Sequence, residues 1–263
     1  MSRLTPTGNE PFVMTPDRVI ADLRRVPSAA TQLSGLPKLA NPGTARTSAV
    51  LALFGPADDA HAHGVSARLN DERRASESAH ADSDAGIRAA AAAAPRELQP
   101  ADLDIVLQVR ADTLRDHPGQ MSFPGGSREP SDATPVDTAL REAWEETGIE
   151  PHPVQVLGQL PQLPLVASNF MVTPVLGWRT HPADVAAHSQ SESVRQLRVP
   201  LSHLLDPANR FTSVLHRAGH RFRGPAWDVD GHVLWGFTAM VLTEILDLAG
   251  WNQPWDTARE RPI

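Results

Sequence analysis

The 263 residues carry 24 Lys and Arg against 31 Asp and Glu, a formal net charge of −7, with 41% hydrophobic residues and no cysteine. That length suits one domain of about 150–200 residues with additions, or two small ones. Without cysteine, a disulfide framework, a thiolate nucleophile and a cysteine zinc site are excluded. The acidic balance argues against broad nucleic-acid binding, which needs a basic surface. Lys38 is the only lysine, so an anion held deeper in the chain must meet arginine, histidine or a metal ion. No apolar run approaches the roughly 18 residues that cross a membrane, and no basic-then-apolar leader opens the chain. The expectation is a cytoplasmic protein without membrane contact.

In chain order, 1–14 read as unstructured. "TPDRVIADLRRV" then reads as a helix with Thr15 at the N-cap and Pro16 at the first helical position. Pro27 to Arg46 is rich in Pro, Gly, Ser and Thr and reads as loop, so 1–46 form an N-terminal extension. Thr47–Gly55 is an apolar strand. Residues 56–100 are rich in Ala, Asp, Ser, Arg and His, with few large apolar side chains; they read as a disordered insertion in which His61 and His63 are solvated. Leu103–Arg110 is a second strand, and a helix spans 135–147. "PVQVLGQLPQLPLV" and "NFMVTPVLGWRT" supply two or three more strands, in which Phe170 and Trp178 pack. Val199–Asp206 reads as a short helix capped near Ser202, and a longer helix starts at about Trp235, itself read as a core anchor. The organisation is a domain over 47–250, interrupted by the insertion and followed by a tail, 251–263. Interleaved strands and few helices imply a mixed sheet covered by helices.

Helix 135–147 carries the chemistry. Thr134 is a good N-cap, Pro135 fits the first position and Gly148 is a natural stop. Val136, Ala139, Leu140 and Ala143 recur at helical spacing and form the face that packs, with Trp144 at its border and able to join the core. Glu142, Glu145 and Glu146 share a neighbouring face in the last turn, where they repel one another and oppose the helix dipole. Taken alone, "EAWEE" is more often a solvated acidic face. The double glycine of "FPGG" upstream changes that balance, because a backbone there can fold tightly and approach a ligand. A hard divalent cation held by oxygen ligands, Mg²⁺ or Mn²⁺, turns the cluster from a liability into a site.

The run from Gly126 to Ile149, G-x5-D-x8-RE-A-W-EE-T-G-I, resembles the Nudix box of diphosphate hydrolases. Asp132 replaces the usual loop glutamate, and the gap to Arg141 is one residue longer than the general pattern. Both departures are typical of the coenzyme A pyrophosphatase subfamily. Val106–Gly126 resembles that subfamily's own signature through Arg110, Ala111, Arg115, Gly119 and Phe123–Gly126, with Gln108 where threonine is usual. The resemblance covers about 47–55 and 101–250.

It implies an α/β fold, the Nudix α/β/α sandwich with a mixed central sheet. It also implies hydrolysis of coenzyme A or its thioesters, a small-molecule substrate, to 3′,5′-ADP and 4′-phosphopantetheine or its acylated form, with Mg²⁺ or Mn²⁺ as cofactor. By the same resemblance Glu142, Glu145 and Glu146 are metal ligands, with Glu142 alternatively the base, and Arg141 holds a glutamate in position. Gly125 and Gly126 shape the loop, Arg110 and Arg115 contact phosphate, and Glu192 completes the metal site or acts as base. Asp132 serves as a cap of the helix region, and Arg195 stands where another acid is common. NADH, ADP-ribose or a nucleoside di- or triphosphate are alternative substrates, and a non-catalytic nucleotide sensor is the alternative of another class. The sequence sets no oligomeric state; a homodimer is compatible with it.

Overall fold

In the computed structural model, residues 15–30, 42–57, 99–110, 119–180, 194–217 and 219–263 are described, with main chain only at 42, 101, 110, 167 and 194. The insertion expected over 56–100, including His61 and His63, therefore lies almost wholly outside them, as do Arg115 and Glu192.

Strand β1 (Arg46–Pro56) is apolar on both faces and occupies the middle of a mixed sheet. It runs parallel to β7 (Phe170–Arg179) from Arg46↔Phe170 to Phe54↔Trp178. On its other side it is antiparallel to β4 (Gly125–Ser127) near its start and to β2 (Leu103–Arg110) near its end. β3 (Met121–Ser122) and β8 (Val194–Pro200) pair with β2; β5 (Val154–Gln159) and β6 (Leu163–Leu165) pair with β7.

Alternation along the strands sets the two layers. Ala49, Leu51 and Leu53 of β1 and Val106 of β2 pack against Ala139 and Ala143 of α2 (Pro135–Thr147), with Val136 and Leu140 at the margin. That is the face expected from the helical spacing. Ala52, Phe54, Ile105 and Leu107 point the opposite way, into a larger core. It includes Val19, Leu23 and Val26 of α1 (Pro16–Ala29) and Leu242, Ile245 and Leu246 of α4 (Gly236–Ala249). The result is an α/β/α sandwich with a mixed central sheet. Among the described residues no helix is long and apolar enough to cross a membrane.

Several expectations are corrected. Helix α1 passes through Pro27 to Ala29 instead of ending at Val26; Pro27 costs the helix one backbone hydrogen bond, and its ring packs in the space left by Gly158. Strand β8 carries through Pro200, so α3 (Leu201–Leu205) starts at Leu201 and Ser202 lies inside it. Trp144 is 49% exposed and not in the core, and Trp235 is half-buried at the N-cap of α4.

A second, four-stranded sheet was not anticipated: β9 (Arg210–Arg217) pairs with β10 (His220–Val229), which is followed by β11 (His232–Leu234), and β9 runs parallel to β12 (Glu260–Pro262). The stretch 251–263, set apart as a tail, is built into this body through β12 and through Trp251. The Trp251 ring is buried edge-on against Phe54, and its indole N–H donates to Asp22 at 3.1 Å.

Candidate active site

Local chemistry places α2. Thr134 accepts from the Asp137 N–H at 3.3 Å while the Asp137 carboxylate accepts from the Thr134 N–H at 2.8 Å, a reciprocal cap worth about 1 kcal/mol. Gly148 ends the helix in the left-handed conformation, with φ 70°. Docked on β1, α2 brings its last two turns over the glycine pair of β4.

The two glycines do different things. Gly125 crosses β1 so closely that a Cβ would stand 2.6 Å from Val50 Cα, and its N–H donates to Glu146 Oε2 at 2.8 Å. Gly126 lies beneath the Glu142 carboxylate, in space a Cβ would take. Glu142 and Glu146 are thus brought to one short stretch of main chain. Glu145 is not: its side chain is about half exposed and accepts from Arg141 Nη1 at 3.1 Å. Among the described residues no three His, Asp or Glu side chains converge as a metal-binding group.

Arg141 is the hub. Its guanidinium donates to both oxygens of Asp132, at 3.1 and 3.0 Å, and to the Ser127 carbonyl at 3.0 Å, and stands 3.1 Å from Glu142 Oε1. Asp132 does not cap α2. It is buried, and besides Arg141 it accepts from the Glu129 N–H at 2.8 Å and from the Thr138 hydroxyl at 3.0 Å. Hydrogen bonds from Arg141 and from the Glu129 N–H hold its carboxyl well below the usual carboxylate range. The Asp132 hydrogen bond pushes Arg141 further up. Burial pushes Glu142 above its ordinary value, with the neighbouring Arg141 opposing. Burial makes the charged form of Glu142 costly, and a cation bound beside it would offset that cost.

Arg110 ends β2 opposite Val194, with its side chain outside the described residues. Arg195 is exposed and paired with Asp230 at 2.8 Å. Sequence reasoning missed Gln108 and Gln196, whose amides donate to the Glu146 carboxylate at 2.9 Å and to the Glu146 carbonyl at 2.8 Å. The signal was there in β2: Leu103, Ile105, Leu107 and Val109 fill one face, and Gln108 interrupts the other, beneath α2.

The chain matches the NUDIX domain model over residues 87–213. It is 37% identical over 142 residues to the "Uncharacterized Nudix hydrolase NudL" of Yersinia enterocolitica, covering 54% of this chain and 71% of that protein. To the protein of the same name in Photorhabdus laumondii it is 38% identical over 143 residues, covering 54% and 74%. With the glycine pair, the arginine hub and the glutamate-bearing helix in place, the chain belongs to the Nudix hydrolases, enzymes that cleave phosphorus-containing anhydrides.

Proposed function

We propose that the chain hydrolyses the diphosphate of coenzyme A or an acyl-coenzyme A, giving 3′,5′-ADP and 4′-phosphopantetheine or its acylated form. The observation that carries this reading is the bond from the Gly125 N–H to Glu146. It joins the end of the arginine-rich signature, Phe123–Gly126, to the carboxylates of the Nudix box. That contact supports reading the stretch that resembles the coenzyme A subfamily as part of the site.

The residues fit a hard divalent cation. The donor set is all oxygen, Glu142 and Glu146 flank the glycine pair, and Arg141, the cation beside Glu142, is shared with Asp132 and Glu145. Glu142 and Glu146 would hold Mg²⁺ or Mn²⁺, joined by Glu145 once it exchanges Arg141 for the ion. When bound, the cation neutralises diphosphate oxygens and lowers the pKa of water. Arg141 keeps Glu142 and the Ser127 turn in register, and Arg110 and Arg115 grip phosphate with their guanidinium forks. Glu142 or Glu192 takes the proton from the attacking water.

A panel of coenzyme A, acetyl-coenzyme A, NADH, ADP-ribose and nucleoside triphosphates, each with Mg²⁺ or Mn²⁺ and products identified by mass, tests this. Fastest turnover is expected on the coenzyme A compounds, with 3′,5′-ADP as product. Preference for NADH, ADP-ribose or a triphosphate rejects the substrate assignment, and turnover of none rejects the catalytic one.

A further inference from the structure

Gln108 and Gln196 face each other across β2 and β8. Both amides reach the same residue of α2. Gln108 Nε2 donates to Glu146 Oε2 at 2.9 Å, beside the Gly125 N–H at 2.8 Å, and Gln196 Nε2 donates to the Glu146 carbonyl at 2.8 Å. Donors from three strands therefore hold one glutamate. Two of them share a carboxylate oxygen and fix the carboxylate's rotation. The third takes a carbonyl of the helix's last turn, where helices call on groups outside themselves. Amides do this without charge. Lysine or arginine in their place would compete with a cation for the carboxylate.

Among the described residues, each glutamine's Oε1 atom is buried and meets no donor. An apolar side chain of similar size would fill the same space without stranding an acceptor, so packing alone does not account for the pair. We propose that Gln108 and Gln196 form a positioning clamp for Glu146. They hold its carboxylate in the orientation that meets a divalent cation, and their two stranded carbonyl oxygens await hydrogen-bond donors that arrive with it. This rests on the metal-dependent reading above.

The test is Mn²⁺ binding to the full chain without substrate, followed by electron paramagnetic resonance, beside melting of the metal-free protein. Gln108→Met keeps length and removes the amide. Its Mn²⁺ affinity is expected to fall about 10-fold or more, while the metal-free Tm stays within about 2 °C of the parent. Gln196→Met carries the same expectation on affinity and serves should the first variant not fold. Affinity within about twofold of the parent in these variants overturns the clamp, a bound on the change expected on losing a ligand's support. So does a loss of affinity that merely tracks a loss of Tm, which marks a packing residue. A parent chain that takes up no Mn²⁺ brings down the metal-dependent reading and the clamp together. A parent that binds and variants that bind equally bring down the clamp alone.

Discussion

One methyl group separates two kinds of damage in the glycine pair. At Gly125 an added Cβ meets the main chain of β1, which cannot move without disturbing the sheet. Gly125→Ala is expected to cost about 1–3 kcal/mol, read by denaturant unfolding. At Gly126 the Cβ meets only the end of the Glu142 side chain. Gly126→Ala should leave stability nearly unchanged and lower kcat about 10–100-fold; unchanged kcat would show that the seat of Glu142 is irrelevant. Arg141→Lys keeps the charge but loses the fork that spans Asp132 and Ser127, and the same loss of activity is expected.

Two of the carboxyls beside Arg141, those of Asp132 and Glu142, give opposite pH signatures. Asp132, held below its unfolded value, supports the fold at neutral pH, and that support is lost as pH falls through the folded value. Glu142, raised above its unfolded value, costs stability as pH rises past the ordinary carboxylate range. Glu142→Gln should therefore raise the metal-free Tm at neutral pH and lose that advantage in acid; a lower Tm at neutral pH contradicts the assignment.

Helix α2 was fully legible because each of its signals is local. Thr134, Pro135 and Gly148 set its limits, and the spacing of Val136, Ala139, Leu140 and Ala143 sets its buried face. Thr134→Ala should cost about 1 kcal/mol in thermal melts and leave kcat unaltered, since the cap lies at the end of the helix away from the glutamates. What local signals could not show is which partner each glutamate finds. Arg141 takes Glu145 because it is one helical turn away, but the tie between Glu146 and Gln108 depends on a sheet register 38 residues distant. Strand β10 escaped for a different reason. Gly224 and Pro225 are residues that weaken a strand pattern, yet Pro225 is tolerated because β11 pairs only with Trp227 to Val229, leaving β10 an edge at that point.

Across the whole molecule, the buried Arg179 and the partly buried Arg198 join elements that are far apart in sequence. Asp104 of β2 receives both Arg179 of β7 and Arg198 of β8, the latter at 2.6 Å, and Gly55 leaves the room Arg179 occupies. Asp104→Asn should destabilise by about 3–5 kcal/mol in denaturant unfolding, because the buried Arg179 guanidinium loses the carboxylate's charge and Arg198 loses it in part. Arg210, sandwiched between Trp227 and Trp255 at 4.4 and 4.5 Å, fastens the C-terminal stretch to the second sheet. Neither feature belongs to the site; both belong to the scaffold around it. The most direct measurement of what the meeting of the glycine pair and α2 is for is Mn²⁺-dependent hydrolysis of coenzyme A by the parent chain and by Glu146→Gln, with melting curves of both. The account predicts 3′,5′-ADP from the parent and none from the variant at nearly equal Tm. A variant that folds and turns over coenzyme A at the parent's rate would contradict it.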